Sequence, residues 1–132
     1  MVELLKAQIR DRARARCEYC QMPEAGEFLD FECDHIIAQK HGGTTSFENL
    51  AYACFHCNSY KGPNLAGFDA TTHRVVRLFH PRRDRWNQHF RWDGPRLLGK
   101  TPIGRVTVDV LKINIPESIE LREILIDEGL FP

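Results

Sequence analysis

Four of the five cysteines in this chain fall into two C-x-x-C pairs, Cys17-Glu-Tyr-Cys20 and Cys54-Phe-His-Cys57, with 33 residues between them. No other feature constrains the fold as strongly. Two residues between cysteines turn both thiolates to one side of a tight turn, which makes half of a tetrahedron. Two such turns complete a four-thiolate site of the kind zinc prefers. A closed four-sulfur site leaves the ion no open position, so the expected zinc builds the fold and does not catalyse. A lone C-x-x-C could be a redox motif, but neither pair has βαβ surroundings. Cys33, alone between Glu32 and Asp34, reads as a small apolar residue on a strand.

The chain has 132 residues and ordinary globular proportions, which exclude a collagen, a disordered tail and a membrane protein. Its longest apolar run, Leu50 to Phe55, is far short of the ~20 residues that cross a bilayer. Met-Val-Glu-Leu-Leu-Lys lacks the basic start and apolar core of a signal peptide. The expected location is the cytoplasm, where paired cysteines bind metal sooner than they form disulfides. Net charge is zero, but it is segregated: residues 1–16 carry +3, 17–72 carry −6, 73–105 carry +7 and 106–132 carry −4. An acidic centre beside basic blocks suits a cation site next to a polyanion-binding surface.

Between the cysteine pairs, Phe28 to Ile37 reads as a strand ending near Asp34-His35. Gly42-Gly43 marks a loop, Leu50 to Ala53 a second strand, and a short helix runs from about Phe55 to the stop at Gly62-Pro63. Asp34 offers a hard carboxylate for magnesium or manganese. His35 can take a proton near neutral pH. Asn49 can orient a neighbouring group. Asn58, expected at the start of the helix, offers an amide oxygen as a ligand or serves as the N-cap. Lys61 could reach a phosphate. Metal, base, orienter and phosphate contact are the parts of metal-assisted phosphodiester hydrolysis.

These residues, from Cys17 through Lys61, resemble the HNH endonucleases with their ββα-metal fold. The resemblance implies His35 as general base, with Asn49 holding the loop and orienting it. It also implies Asp34 and Asn58 as ligands of one catalytic divalent metal, and cleavage products with 5′-phosphate ends. Where this family often has His, position 58 is Asn, and an amide oxygen shifts metal preference away from nickel or zinc.

Outside that stretch, residues 2–14 read as an amphipathic helix and 63–72 as a linker. Val75 to Phe79 is β-prone, and Phe90-Arg91-Trp92 and Arg96-Leu97-Leu98 form a hairpin about Asp93-Gly94. A helix is expected from Ile103 to Asn114 and a last one from Pro116 to Gly129. Arg82, Arg83 and Arg85, interleaved with aromatics, suit a phosphate backbone. The tryptophans read as core.

The expected fold is therefore small α+β. A ββα-metal motif stapled by four cysteines and zinc carries an N-terminal helix and a C-terminal hairpin-plus-helices extension. Residues 1–62 would form the helix and nuclease core, and 63–132 a basic extension packed on it in a single compact domain. The expected activity is hydrolysis of double-stranded DNA with structural zinc and catalytic magnesium or manganese. The alternative is a zinc-stapled nucleic-acid-binding module without chemistry.

Overall fold

The structure, a computed structural model, describes residues 2–132, the Val2 side chain excepted. Met1, with which the first expected region begins, lies outside the described residues. The chain divides into two compact units, one ending at Pro63 and the other running Asn64–Pro132. No helix among the described residues is long and apolar enough to cross a membrane.

The first unit begins with helix α1 (Val2–Arg12), which ends two residues short of expectation. Arg14 and Ala15 both take φ of 56°, a left-handed turn that no helix continues through. Ile9, fully buried, anchors α1 on the sheet. Strand β1 (Glu32–His35) pairs antiparallel with β2 (Leu50–Ala53), aligning Asp34 with Ala51 and His35 with Leu50. All four residues of β2 are buried, because α1 covers it on one side and α2 (Phe55–Lys61) packs against it too. The longer strand expected over Phe28–Ile37 does not form. β2 offers only four residues to pair with before it enters the Cys54 turn, and Phe28 and Leu29 are left exposed in a loop. Arg12 pins the chain entering β2, donating to the carbonyls of Phe47 (2.7 Å) and Leu50 and lying 4.0 Å over the Phe47 ring.

The second unit holds two hairpins and three helices. Ala66–Asp69 (β3) pairs with Arg74–Arg77 (β4), so the expected 63–72 linker contains a strand. Gly67 reads as a chain breaker, yet its missing Cβ makes room for a helix: a carbon there would lie 2.7 Å from Val110 Cγ2. A short helix α3 (Trp86–His89), not expected from the sequence, leads into β5 (Phe90–Asp93) and β6 (Arg96–Gly99). Helix α4 (Pro102–Val110) is capped by Thr101 Oγ1, which accepts from Gly104 N–H at 3.1 Å. It ends before Asn114 because the chain turns at Lys112, φ 52°. Helix α5 (Pro116–Asp127) starts on Pro116 and gives way to Gly129 at φ 74°.

Phe79, Phe90, Leu97, Val106, Leu111 and Leu125 form much of this unit's core. Both tryptophans, expected as core, sit half-buried at its edge, Trp86 packing 5.1 Å from Phe90 and Trp92 4.9 Å from Phe131. Arg122 is buried among them. It donates to the carbonyls of Pro95 (2.6 Å) and Ile113 (2.9 Å), so its charge is satisfied by backbone.

Candidate active site and metal centre

The turn from Cys17 to Cys20 folds because Cys17 N–H donates to Met22 O at 2.9 Å and Gln21 N–H to Cys17 O at 2.9 Å. In the second turn, Cys54 is the N-cap of α2, its Sγ accepting from Cys57 N–H at 3.4 Å. Cys20 N–H points at Cys17 Sγ in the same way, at 3.5 Å. The four sulfurs lie within 4.8 Å of one another, and all four residues are buried. Hydrogen bonding to Cys17 and Cys20, with burial added, pushes the thiols of Cys54 and Cys57 well up. The four cannot all be thiolates without a cation among them. Number, softness and spacing of these donors fit zinc. Cys33 stands apart, half-buried on β1 opposite Tyr52, with burial raising its thiol.

The Cys17–Cys20 turn also carries Tyr19, fully buried, whose hydroxyl donates to Asp34 Oδ2 at 2.7 Å. Asp34, on β1, is 4% exposed and faces inward, which excludes the reading of it as a turn-capping acid. Burial raises its carboxyl, and the neighbouring Lys61 opposes that shift. Lys61 Nζ lies 3.3 Å from Asp34 Oδ1 and 3.1 Å from Oδ2, and donates to His35 O at 3.0 Å. Lys61 is 1% exposed. The phosphate contact expected of it is therefore corrected: its charge is spent inside the fold, on the carboxylate and carbonyl of the Asp34-His35 pair.

His35 ends β1 half-buried, with Nε2 2.8 Å from Thr45 Oγ1. Gln39 Nε2 donates to the same oxygen at 3.2 Å. The loop that delivers Thr45 is closed by Asn49. Its Oδ1 accepts from Ile37 N–H at 3.0 Å, and its Nδ2 donates to the carbonyls of Ile37 (2.9 Å) and Thr44 (2.8 Å). Asn49 does not touch His35 in this network. It fixes the loop, and Thr45 holds the ring. Gly43 lies where this loop presses on the strand exit, since a Cβ there would lie 1.7 Å from Ile37 O.

Asn58 sits in the middle of α2 and is half-buried. The capping alternative is excluded, because Cys54 is the cap. Three residues on, Lys61 reaches Asp34, so the helix face that carries Asn58 is turned toward β1. His41 is exposed, and His56 packs 4.7 Å from Tyr60.

In the second unit, Arg83 and Arg85 are exposed and Arg82 is half-buried, all in the turn after Pro81. Asp84, between them, is gripped by Arg77 through two bonds of 2.7 and 2.9 Å. Sequence reasoning missed Thr45 and Tyr19 as parts of the site. Only the Gly-Gly-Thr-Thr run ahead of Asn49 hinted at the loop.

Residues 17–64 match the family model for HNH endonuclease. The resemblance carried by the cysteine pairs, Asp34-His35, Asn49 and Asn58 is thereby shown for this stretch. The small α+β fold with its four-cysteine cluster is consistent with a zinc-stapled HNH domain. That family is one of nucleases, which act on nucleic acid. Searches of curated proteins and of solved structures give no match.

Proposed function

We propose that the chain is a metal-dependent DNA endonuclease that hydrolyses phosphodiester bonds with His35 as general base. One coincidence carries the reading. The stretch that matches the HNH endonucleases is also the one in which a half-buried histidine ends a strand with one ring nitrogen held by Thr45.

With hydrogen on Nε2 and Thr45 Oγ1 accepting it, His35 Nδ1 keeps its lone pair and takes a proton from the attacking water. Asn49 acts on this ring only through the loop, as a positioning residue. Asp34 and Asn58 are the residues that would hold the divalent ion, an all-oxygen pair suited to magnesium or manganese. When bound, the ion would polarise the scissile phosphate and stabilise the leaving oxygen. Asp34 Oδ2 meets both Tyr19 OH and Lys61 Nζ, while Oδ1 accepts from Lys61 at 3.3 Å, which leaves Oδ1 a second lone pair for a metal. An ion there would share the carboxylate with Lys61 and compete with its charge. The zinc of the four cysteines keeps a structural role, and the exposed Arg83 and Arg85 contact the phosphates of double-stranded DNA.

One observation favours a second reading, a zinc-stapled nucleic-acid-binding module without chemistry: Asp34 is already neutralised by Lys61. Cleavage of supercoiled plasmid in magnesium or manganese by zinc-loaded wild type, His35→Ala and Asn58→Ala separates the two. The nuclease reading expects wild type to cut, and His35→Ala to lose about 10²–10⁴-fold in rate with DNA affinity kept. Asn58→Ala loses activity in every metal. DNA bound but uncut by wild type in all metals leaves the binding module.

A further inference from the structure

One face of the β3–β4 hairpin leaves two large apolar side chains, Phe68 and Val75, exposed. Side chains alternate across a strand pair, and two contacts fix which face is which. Gly67, paired with Val76, lies against Val106 and Val110 of α4. Asp69, two residues along, is held by Arg105 of α4 through bonds of 3.0 and 3.1 Å. The intervening pair, Phe68 and Val75, therefore points away from α4, and these two side chains are 58% and 76% exposed. Single exposed apolar residues are common on proteins. An aromatic and a β-branched residue side by side in register on a bare strand pair are a surface with a purpose.

The basic turn is fastened to that same face. Arg77, two residues from Val75, shares its side of the sheet, and its guanidinium grips Asp84 bidentately. This clamp sets Arg83 and Arg85 beside the Arg77 end of the hairpin. Residues 64–85 contain only two acidic residues, Asp69 and Asp84. Each is occupied by an arginine, Asp69 by Arg105 and Asp84 by Arg77. That leaves the exposed Arg83 and Arg85 as the basic side chains of the turn.

We propose that this face is a groove-contacting platform for duplex DNA. Arg83 and Arg85 take the phosphates, and Phe68 with Val75 lies against the sugar and base edges beside them. The proposal rests on the nuclease reading for the identity of its ligand, and it adds a binding surface remote in sequence from the catalytic stretch. A two-stranded ribbon is narrow enough to enter a groove, and apolar side chains on minor-groove proteins wedge at base steps. The arginines alone would give only backbone attraction. The apolar pair gives the strand face a reason to be bare.

The test is binding of the full zinc-loaded chain to a fluorescent 20-base-pair duplex, followed by anisotropy across a salt series without added divalent cation. Arg83→Gln with Arg85→Gln should flatten the slope of log K against log salt by about 0.9 for each phosphate no longer neutralised. Phe68→Ser with Val75→Ser should weaken binding about tenfold by removing apolar burial against the duplex. It should leave the slope unchanged, because no counterion is involved. Circular dichroism and tryptophan fluorescence verify that both variants are folded. An apolar double variant that binds like wild type overturns the proposal, as does wild type that binds no duplex. If sedimentation shows a wild-type dimer that Phe68→Ser with Val75→Ser turns into a monomer, the face pairs copies of the chain and the proposal also fails. Binding is read without cleavage, so a wild type that binds through this face but never cuts would sink the nuclease reading alone. Normal cutting with unaltered binding in the double variant would sink the platform alone.

Discussion

The ammonium of Lys61 lies 3.1 Å from Asp34, with both side chains almost wholly shielded from water. Removing one partner from such a pair leaves a buried charge uncompensated, at a cost of about 3–5 kcal/mol. Lys61→Met should therefore destabilise the protein by that order, and Lys61→Met with Asp34→Asn by less than the two single changes together. Urea titration of the cycle measures the coupling. If Asp34 also holds the catalytic ion, Lys61→Met assayed below its melting temperature should reach half-maximal cleavage at lower magnesium. An unchanged magnesium dependence would take Asp34 out of the ligand set.

Gly43→Ala should disable the site without touching the zinc. The new carbon would lie 1.7 Å from Ile37 O and 2.9 Å from Asn49 Nδ2, and backbone cannot yield that far without opening the loop. The expected result is normal zinc content, a lowered melting temperature and little cleavage. Wild-type cleavage by this variant would show that the loop closure is not needed.

Thr45 holds His35 by a single hydrogen bond of 2.8 Å. Thr45→Val keeps the shape and removes the oxygen, and should slow cleavage about three- to tenfold, as one neutral hydrogen bond warrants. Thr45→Ser should restore the rate. A shift in the pH–rate profile for Val and not for Ser would separate positioning of the base from general loosening.

Zinc should be present at one ion per chain, bound by Cys17, Cys20, Cys54 and Cys57. Chelation, or Cys57→Ser, should unfold the unit ending at Pro63, because a structural site contributes its binding energy to folding. Metal analysis with hydrogen exchange reads both. Zinc-free protein with protected amides in β1 and β2 would contradict it.

Asp84 makes the second unit's stability pH-dependent. Hydrogen bonds from Arg77 pull its carboxyl down from 3.8 to about 2. A depressed acid stabilises the fold above its ordinary value, and the benefit is lost as pH falls through the lowered one. The stability gap between wild type and Asp84→Asn should therefore be constant above pH 4 and shrink as pH falls toward about 2. Trp86 and Trp92 lie in the same unit, so their fluorescence reports it directly. A gap that persists undiminished to pH 2 would assign the effect of Asp84 to something other than its charge.

The parts of this molecule legible in the sequence are those fixed by neighbours along the chain. Strand β2 and helix α2 follow from Cys54, which ends one and caps the other, and from Gly62-Pro63, which stops the helix. The cysteine cluster follows from spacing alone. What escaped depends on contacts between distant segments. Thr45 is ten residues from His35 and matters only because Asn49 folds the loop back. Lys61 has the composition of a surface residue, and only the packing of α2 on β1 reveals where its charge goes. The strand at Ala66–Asp69 was hidden by Gly67, whose small size serves α4 and does not interrupt the backbone pairing. Arg122 likewise sits in an acidic helix that gives no sign of a buried cation.

Tyr19 belongs to the loop that wraps the four sulfurs, yet its hydroxyl ends on the carboxylate next to His35. Occupancy of the sulfur site and alignment of the reactive strand are therefore not independent variables. On the proposed reading, a chain short of zinc would also be a chain whose Asp34 is missing a donor. Metal supply would then act on this molecule as a gate upstream of its proposed chemistry, before any nucleic acid arrives.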